Sequence, residues 1–248
     1  MNVLVASGGT VAPIDDVRHI ANTSTGKLGA AIVEAALARG AEVWHLRTPA
    51  AARPYDRLAR FDLDAPDARG EFDRLAALRA EYQAHRPRLH PVPLPTGTVP
   101  EYAEALARTL RDQPIDVAFL PIAASDFAPD PTPGKLDSRL ETLTIRCHRL
   151  PKVIAHVRDW SPSTYLVGFK LLSNAPHADL IRQGLAACLA NRADLTVAND
   201  LATVNAGRHT IHLIRPDRPV ETIGPDGPIA ALLVDRVRKW AAVKSGIR

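Results

Sequence analysis

The chain has 248 residues, of which 46% are hydrophobic, enough for one large α/β domain with a sizeable core. Its 31 basic and 27 acidic residues are interspersed and leave a net charge of +4; with aromatics at 5% and no basic run, a nucleic-acid partner is not indicated. No apolar run is long enough to span a bilayer, Met1 leads straight into a strand-like segment with no room for a signal peptide, and the two cysteines, Cys147 and Cys188, form neither a disulfide framework nor a metal cluster, so a cytoplasmic protein without a membrane partner is expected.

Residues 2–6 read as a buried strand, followed by the tight turn Ser7-Gly8-Gly9-Thr10 and a loop from Val11 to Thr25. The spacing of Leu28, Ile32, Ala35 and Ala36 predicts an amphipathic helix over Gly26 to Arg39, with Gly40 as its C-cap. Ala41 to Arg47 is a second strand and closes a βαβ unit. Residues 50–95 are rich in Pro and Arg and read as a surface excursion with a helix over Glu71 to His85 and a strand over Leu89 to Leu94. A helix follows over Val99 to Asp112, then a buried strand over Asp116 to Ala124 and a proline-rich flap over Pro129 to Gly134. Glu141 to Cys147 alternates like a strand. Lys152 to Asp159 reads as helix, Tyr165 to Phe169 as strand, His177 to Asn191 as helix and Leu195 to Ala198 as a short buried strand. His209 to Ile214 is an expected edge strand, and Ile229 to Val243 the closing helix. This alternation predicts a single α/β domain over 1–248 with a doubly wound, mostly parallel sheet.

Ligands of such sheets bind beyond the C-terminal strand ends, so the clusters that follow strands are the candidate sites. Gly8 and Gly9 fit a phosphate cradle and equally a tight turn that needs glycine. Asn22-Thr23-Ser24-Thr25-Gly26-Lys27 places hydroxyls and a lysine at a helix start, where orphan N–H groups favour an anion. The plain alternative is an N-capped helix with a solvated lysine, but the unbroken polar run favours the anion site. It is not a P-loop, which needs glycine at Ala21 and Ser or Thr at Leu28. Ala124-Ser125-Asp126-Phe127, with Lys135 across the flap, suits a nucleotide but also reads as a turn Asp and a solvated Lys. Phe169 can stack on a base or belong to the core. Asn199 can be a turn residue. Cys147 and Cys188 read as buried and inert, and His209 and His212 as surface residues.

Together these clusters resemble the phosphopantothenate–cysteine ligase family of coenzyme A biosynthesis. The most specific part is Val17-Arg18-His19-Ile20-Ala21-Asn22-Thr23-Ser24-Thr25-Gly26-Lys27-Leu28-Gly29, which is similar to the family's Arg-x-Ile-x-Asn-x-Ser-Ser-Gly-Lys-x-Gly segment. Ser7-Gly8-Gly9-Thr10, Ala124-Ser125-Asp126-Phe127 with Lys135, Gly168-Phe169 and Ala198-Asn199-Asp200 fall where the family has counterparts. The resemblance implies a Rossmann-like, ribokinase-like variant fold with a small strand and flap extension. It also implies a homodimer, with the contact at residues 50–95 or at the strand near His209 to Ile214. The implied reaction couples 4′-phosphopantothenate to cysteine through an acyl-nucleotidylate formed from ATP or CTP, with Mg²⁺ on the triphosphate and no direct protein ligand to the metal.

By the same resemblance, Asn22 and Lys135 are catalytic. Gly8, Gly9, Ala124, Asp126, Lys135 and Phe169 bind nucleotide, and Asn22, Ser24, Thr25, Gly26 and Lys27 hold the substrate or intermediate. The bacterial pattern departs at two nucleotide-linked lysines, here Ala187 and Asn191. Leu150-Pro151-Lys152 and Phe169-Lys170-Leu171 look closer to the eukaryotic type, which favours ATP. The upstream flavin-dependent decarboxylase domain of many bacterial members is expected to be absent. The competing readings are a non-catalytic nucleotide-binding relative and an NAD(P)-dependent reductase; the missing Tyr-x-x-x-Lys pair and incomplete glycine fingerprint count against the latter.

Overall fold

A computed structural model describes residues 1–139, 141–206, 208–244 and 246. The chain forms β1 (Asn2–Ser7), β2 (Val11–Pro13), β3 (His19–Ala21), α1 (Lys27–Ala38), β4 (Glu42–Arg47), α2 (Ala68–His85), β5 (Leu89–Pro93), α3 (Val99–Asp112) and β6 (Val117–Phe119). It continues through β7 (Phe127–Pro129), β8 (Cys147–Arg149), α4 (Val157–Trp160), β9 (Tyr165–Leu172), α5 (His177–Ala190), β10 (Leu195–Asp200), α6 (Leu201–Asn205), β11 (Ile211–Ile214), β12 (Glu221–Ile223) and α7 (Ile229–Lys244).

The main sheet has eight strands in the order β12-β11-β10-β9-β6-β1-β4-β5. From β5 to β10 the pairing is parallel, and β11 and β12 add antiparallel at one edge. Taken in chain order, the parallel strands run 3-2-1-4-5-6, the Rossmann order. The order reverses between β1 and β6. Strand alternation fills both faces: Val3 and Val5 join Ile32, Val33 and Leu37 of α1 and Val234 of α7 in one core, while Leu4 and Ala6 join Tyr102 and Leu106 of α3 in the other.

α1 starts at Gly26, whose φ of 69° is the left-handed conformation that glycine adopts without a Cβ penalty. Its first turn then lies close on β1, because a Cβ at Gly29 would overlap the Cβ of Ser7. α3 is opened by Pro100 in its first turn and by Glu101, whose carboxylate accepts from the N–H groups of Thr96 and Gly97 at 3.0 and 2.8 Å.

Several boundaries differ from the sequence reading. Residues 11–25 are not all loop but carry the β2–β3 hairpin. β6 is short, since Pro121 lacks the N–H that would continue the ladder. The strand predicted over Glu141 to Cys147 does not form; β8 covers Cys147–Arg149 and pairs with β7, while residues 142–146 lie exposed without a neighbouring strand among the described residues. Cys147 is exposed, contrary to the buried reading, whereas Cys188 is buried. The expected helix at Lys152 splits into a 3₁₀ turn, Val153–His156, and α4. β11 is not an edge, because β12 covers it, and His209 and His212 are half-buried. The excursion over 50–95 ends in β5, a strand of the main sheet whose Pro91 and Pro93 suit its edge position.

Gly29→Ala is expected to lower unfolding free energy by about 1–3 kcal/mol, because the added methyl must displace α1 from Ser7. A urea midpoint equal to wild type would show that the contact relaxes freely.

Candidate functional site

The candidate site is built where the strand order reverses. Beyond β1, Gly8 turns the chain at φ 103°, hard against Thr48 and Ala51 at the end of β4. The Ala123 N–H donates to the Gly8 carbonyl at 2.8 Å, and the Thr10 N–H donates to the Ala123 carbonyl at 3.1 Å. The Thr10 hydroxyl accepts from the Ser125 N–H at 2.8 Å. These bonds join the glycine turn to the segment after β6, so Gly8, Gly9 and Ala124 lie in one stitched unit. Gly9 has no room for a side chain, because a Cβ there would overlap the Asn22 carbonyl.

Asn22 docks on the same unit. Its N–H donates to the Thr10 carbonyl at 3.4 Å and its Nδ2 to the Ala123 carbonyl at 2.8 Å. The residue is exposed and follows β3 directly. From there Ser24, Thr25 and Gly26 lead into α1. No side chain caps this helix and its first turn holds no acidic residue. Its N-terminal dipole is left to solvent or a ligand, with exposed Lys27 beside it.

Lys135 is held in place by a clamp. Asp15 is buried and takes hydrogen bonds from the N–H groups of Val17, Arg18 and Leu136 at 2.9, 2.7 and 3.0 Å, and from the Arg18 guanidinium at 2.6 Å. Asp16 accepts from the Gly134 N–H at 3.1 Å, while its own N–H donates to the Gly134 carbonyl at 3.0 Å. The residues on both sides of Lys135 are therefore tied to the β2–β3 hairpin, and Lys135 itself is exposed. Burial pushes the Asp15 carboxyl up, but its backbone donors and Arg18 outweigh this and hold it down at about 2.

Asp126 sits after β6 with its carboxylate 2.6 Å from the Lys152 ammonium. The Leu150 N–H donates to the Asp126 carbonyl at 2.8 Å and fixes that approach. Both charged groups are about half exposed, so the pair orients the two side chains more than it stabilises the fold. Phe169 lies on β9, next to β6 in the sheet, half-buried and packed on the core beneath α1 and α7. Asn199 lies one residue before the end of β10, with its Nδ2 3.4 Å from the His209 ring. Ala187 and Asn191 are not brought to this end of the sheet. α5 runs back from the C-terminal end of β9 to the start of β10, so its last turn lies at the N-terminal strand edge.

Two side-chain pairs escape sequence reasoning. The Lys152 segment resembles the family, but its pairing with Asp126 has no local signal, because the two are distant in the chain. Ser7 Oγ and His45 Nε2 lie 2.8 Å apart, both buried under α1. Burial first, and then the Arg47 guanidinium, push the His45 imidazole down to about 4, so it is neutral at physiological pH. The Asp15 clamp has a faint signal in the Asp15-Asp16-Val17-Arg18 run, which suits an Asx turn.

A Rossmann-ordered α/β protein with an anion-ready helix terminus at its switch point is the class that this geometry defines. Comparison with known proteins narrows it. A family model described as the DNA/pantothenate metabolism flavoprotein C-terminal domain matches residues 1–67. Phosphopantothenate–cysteine ligase 1 of Arabidopsis thaliana is 30% identical over 224 residues, covering 81% of this chain and 69% of that protein. The coenzyme A biosynthesis bifunctional protein CoaBC of Thermococcus kodakarensis is 29% identical over 218 residues, covering 87% of this chain and 45% of that one, so the chain spans less than half of this relative. The crystal structure of the DNA/pantothenate metabolism flavoprotein from Streptococcus pneumoniae matches with a TM-score of 0.77 at 26% identity, over 97% of this chain and 99% of that one. A Cab2 variant in complex with phosphopantothenate-cysteine shares the fold, with a TM-score of 0.83 at 21% identity over 99% of this chain and 87% of that one. The chain belongs to the phosphopantothenate–cysteine ligase family.

Asp15→Asn is expected to loosen the loop around Lys135, seen as faster proteolytic cleavage within 130–136 at neutral pH. The folded-state value of Asp15 lies below the ordinary carboxylate value of 3.8, so its contribution to stability is complete above that value and is lost as pH falls through about 2. The difference in urea midpoint between wild type and Asp15→Asn should therefore hold above about pH 4 and close toward pH 2. A difference unchanged at the acid end contradicts this assignment.

Proposed function

We propose that the chain joins 4′-phosphopantothenate to cysteine, with a nucleoside triphosphate as the activating co-substrate. The observation that carries this reading is the Asn22 carboxamide docked on Ala123, between the glycine turn and the uncapped start of α1. That arrangement supports an activated acyl phosphate at Asn22 with its anionic part at the helix terminus.

In the first half-reaction, a substrate carboxylate oxygen attacks the α-phosphorus. The bond to the pyrophosphate oxygen breaks, leaving an acyl-nucleotidylate. In the second, the cysteine amine attacks the acyl carbon, the amide bond forms, the nucleoside monophosphate leaves with the bonding electron pair, and the amine proton passes to solvent. Carboxylate is a poor acyl donor, so the chemistry depends on positioning and charge neutralisation. In this reading Asn22 hydrogen-bonds the acyl intermediate, and Ser24, Thr25, Gly26 and Lys27 hold its phosphate-bearing part. Gly8 and Gly9 let phosphate oxygens approach the backbone. Ala124, Asp126 and Phe169 take the nucleoside. Lys135 neutralises the triphosphate, with Lys152 as a second cation beside it. Mg²⁺ would enter on the triphosphate oxygens. Asp126, the carboxylate at the strand-end cluster, is engaged by Lys152, which fits a metal carried by the nucleotide.

The nucleotide is ATP or CTP. We infer ATP, because Leu150-Pro151-Lys152 and Phe169-Lys170-Leu171 resemble the ATP-favouring type. Pyrophosphate release with phosphopantothenate, cysteine and each nucleotide tests the whole reading. ATP-dependent release that requires phosphopantothenate is expected, with Lys152→Met at least about tenfold slower. No release with either nucleotide, from folded protein, replaces the ligase reading with a non-catalytic nucleotide-binding one.

We also propose a cytoplasmic homodimer. Residues 142–146 lie exposed, with Leu143 45% and Ile145 36% accessible on an alternating segment that meets no strand among the described residues. A second copy would satisfy both its backbone and its apolar side. This moves the contact away from 50–95 and from β11. Sedimentation should give a dimer for wild type and a monomer for Leu143→Asp with Ile145→Asp; a dimer in both places the contact elsewhere.

A further inference from the structure

The ligase reading gives no task to Ser7 and His45. Ser7 closes β1 and is wholly buried, and its Oγ lies 2.8 Å from Nε2 of His45 on β4. The first turn of α1 rests on this same side chain, because a Cβ at Gly29 would overlap the Ser7 Cβ and lie 3.1 Å from its Oγ. The next residue, Gly8, begins the glycine turn. His45 stands in register with Val5 and so faces the apolar layer of Val3, Val5 and Ile32 under α1.

Stability does not explain an imidazole in that layer. A buried hydrogen bond between two neutral groups contributes little net free energy. Replacing both partners by apolar groups of similar shape is close to neutral, whereas removing one strands the other. What the bond supplies is direction: it fixes the Ser7 side chain, and with it the surface on which α1 starts.

We propose that Ser7 and His45 are a positioning pair that sets the height and angle of the first turn of α1, aiming its uncapped N–H groups and the Gly8–Gly9 peptides at the ligand's phosphate oxygens. The pair touches neither substrate nor nucleotide. This inference rests on the reading above only in placing a phosphate group at that turn.

Four variants test it: Ser7→Ala, His45→Leu, the two combined, and His45→Gln, which keeps a hydrogen-bonding group near the position of Nε2. Urea midpoints report stability, and calorimetric titration with inorganic pyrophosphate reports the anion site without turnover. Each single apolar variant should lower the midpoint by leaving a buried polar group unpaired, and the double variant should recover it. The recovered double variant should nevertheless bind pyrophosphate about tenfold more weakly, with His45→Gln between it and wild type. Where turnover is measurable, the KM for nucleotide should rise more than kcat falls.

A double variant with wild-type midpoint and unweakened pyrophosphate binding overturns the proposal, since the bond would then serve the fold alone. Wild-type protein that binds no pyrophosphate overturns it as well. Intact pyrophosphate binding without nucleotide-dependent pyrophosphate release defeats the ligase reading and leaves the positioning pair standing.

Discussion

Three donors converge on the carbonyl oxygen of Ala123: the Thr10 N–H at 3.1 Å, the Asn22 Nδ2 at 2.8 Å and, more weakly, the Thr10 hydroxyl at 3.4 Å. Everything at the site hangs from this point. β1 and β6 diverge in their onward connections at the switch point, and without a tie their two loops would move independently. The shared carbonyl makes them one rigid wall and hangs Asn22 on it from a third segment. The tie works only because Gly9 leaves space for the Asn22 backbone. A backbone acceptor is well suited to this task, since it cannot titrate and its position is set by the sheet below.

The acidic groups around that wall are paired or buried, and its lysines are exposed. The first turn of α1 has no acidic residue to quench its dipole. Asp126 meets Lys152 at 2.6 Å, which offsets its negative charge at the strand ends. Asp15 is internal and matched by Arg18 and by backbone N–H groups, so its charge is spent on the Lys135 loop. His45, buried beneath the turn, is held neutral by desolvation and by Arg47. The cations Lys27 and Lys135 are exposed.

Legibility in the sequence follows the range of the interaction. β1, α1, β4 and α3 can be read because their burial periodicities are local and their ends carry Gly26, Gly40 and Pro100. β12 cannot be read: it is three residues long, polar on one side, and exists only because β11 is there to pair with. Glu141 to Cys147 shows the converse, since alternation marks a strand but cannot supply the neighbour that makes it one. Within the site, Gly8–Gly9 and the run from Asn22 to Lys27 are two short segments, each contiguous and visible. Lys152 stands in a family-like segment, but its pairing with Asp126 appears only across the fold, and no pattern in its own segment marks His45.

The α5 positions bear differently on nucleotide choice than the family resemblance implies. α5 runs antiparallel to β10, so Ala187 and Asn191 sit beside the start of that strand and Asn199 near its end. Six residues of strand separate these ends by roughly 20 Å, farther than a lysine side chain reaches. Nearby, Asp194 already binds Arg158 and Lys244, at 2.5 and 2.8 Å, and Asp159 binds Arg192 at 2.8 Å. Ala187 and Asn191 thus lie by an ion-pair network at the base of the sheet, away from the switch point. Ala187 and Asn191 therefore belong to a different region of the fold from the switch point. The C-terminal strand ends carry a different pairing, that of Asp126 with Lys152.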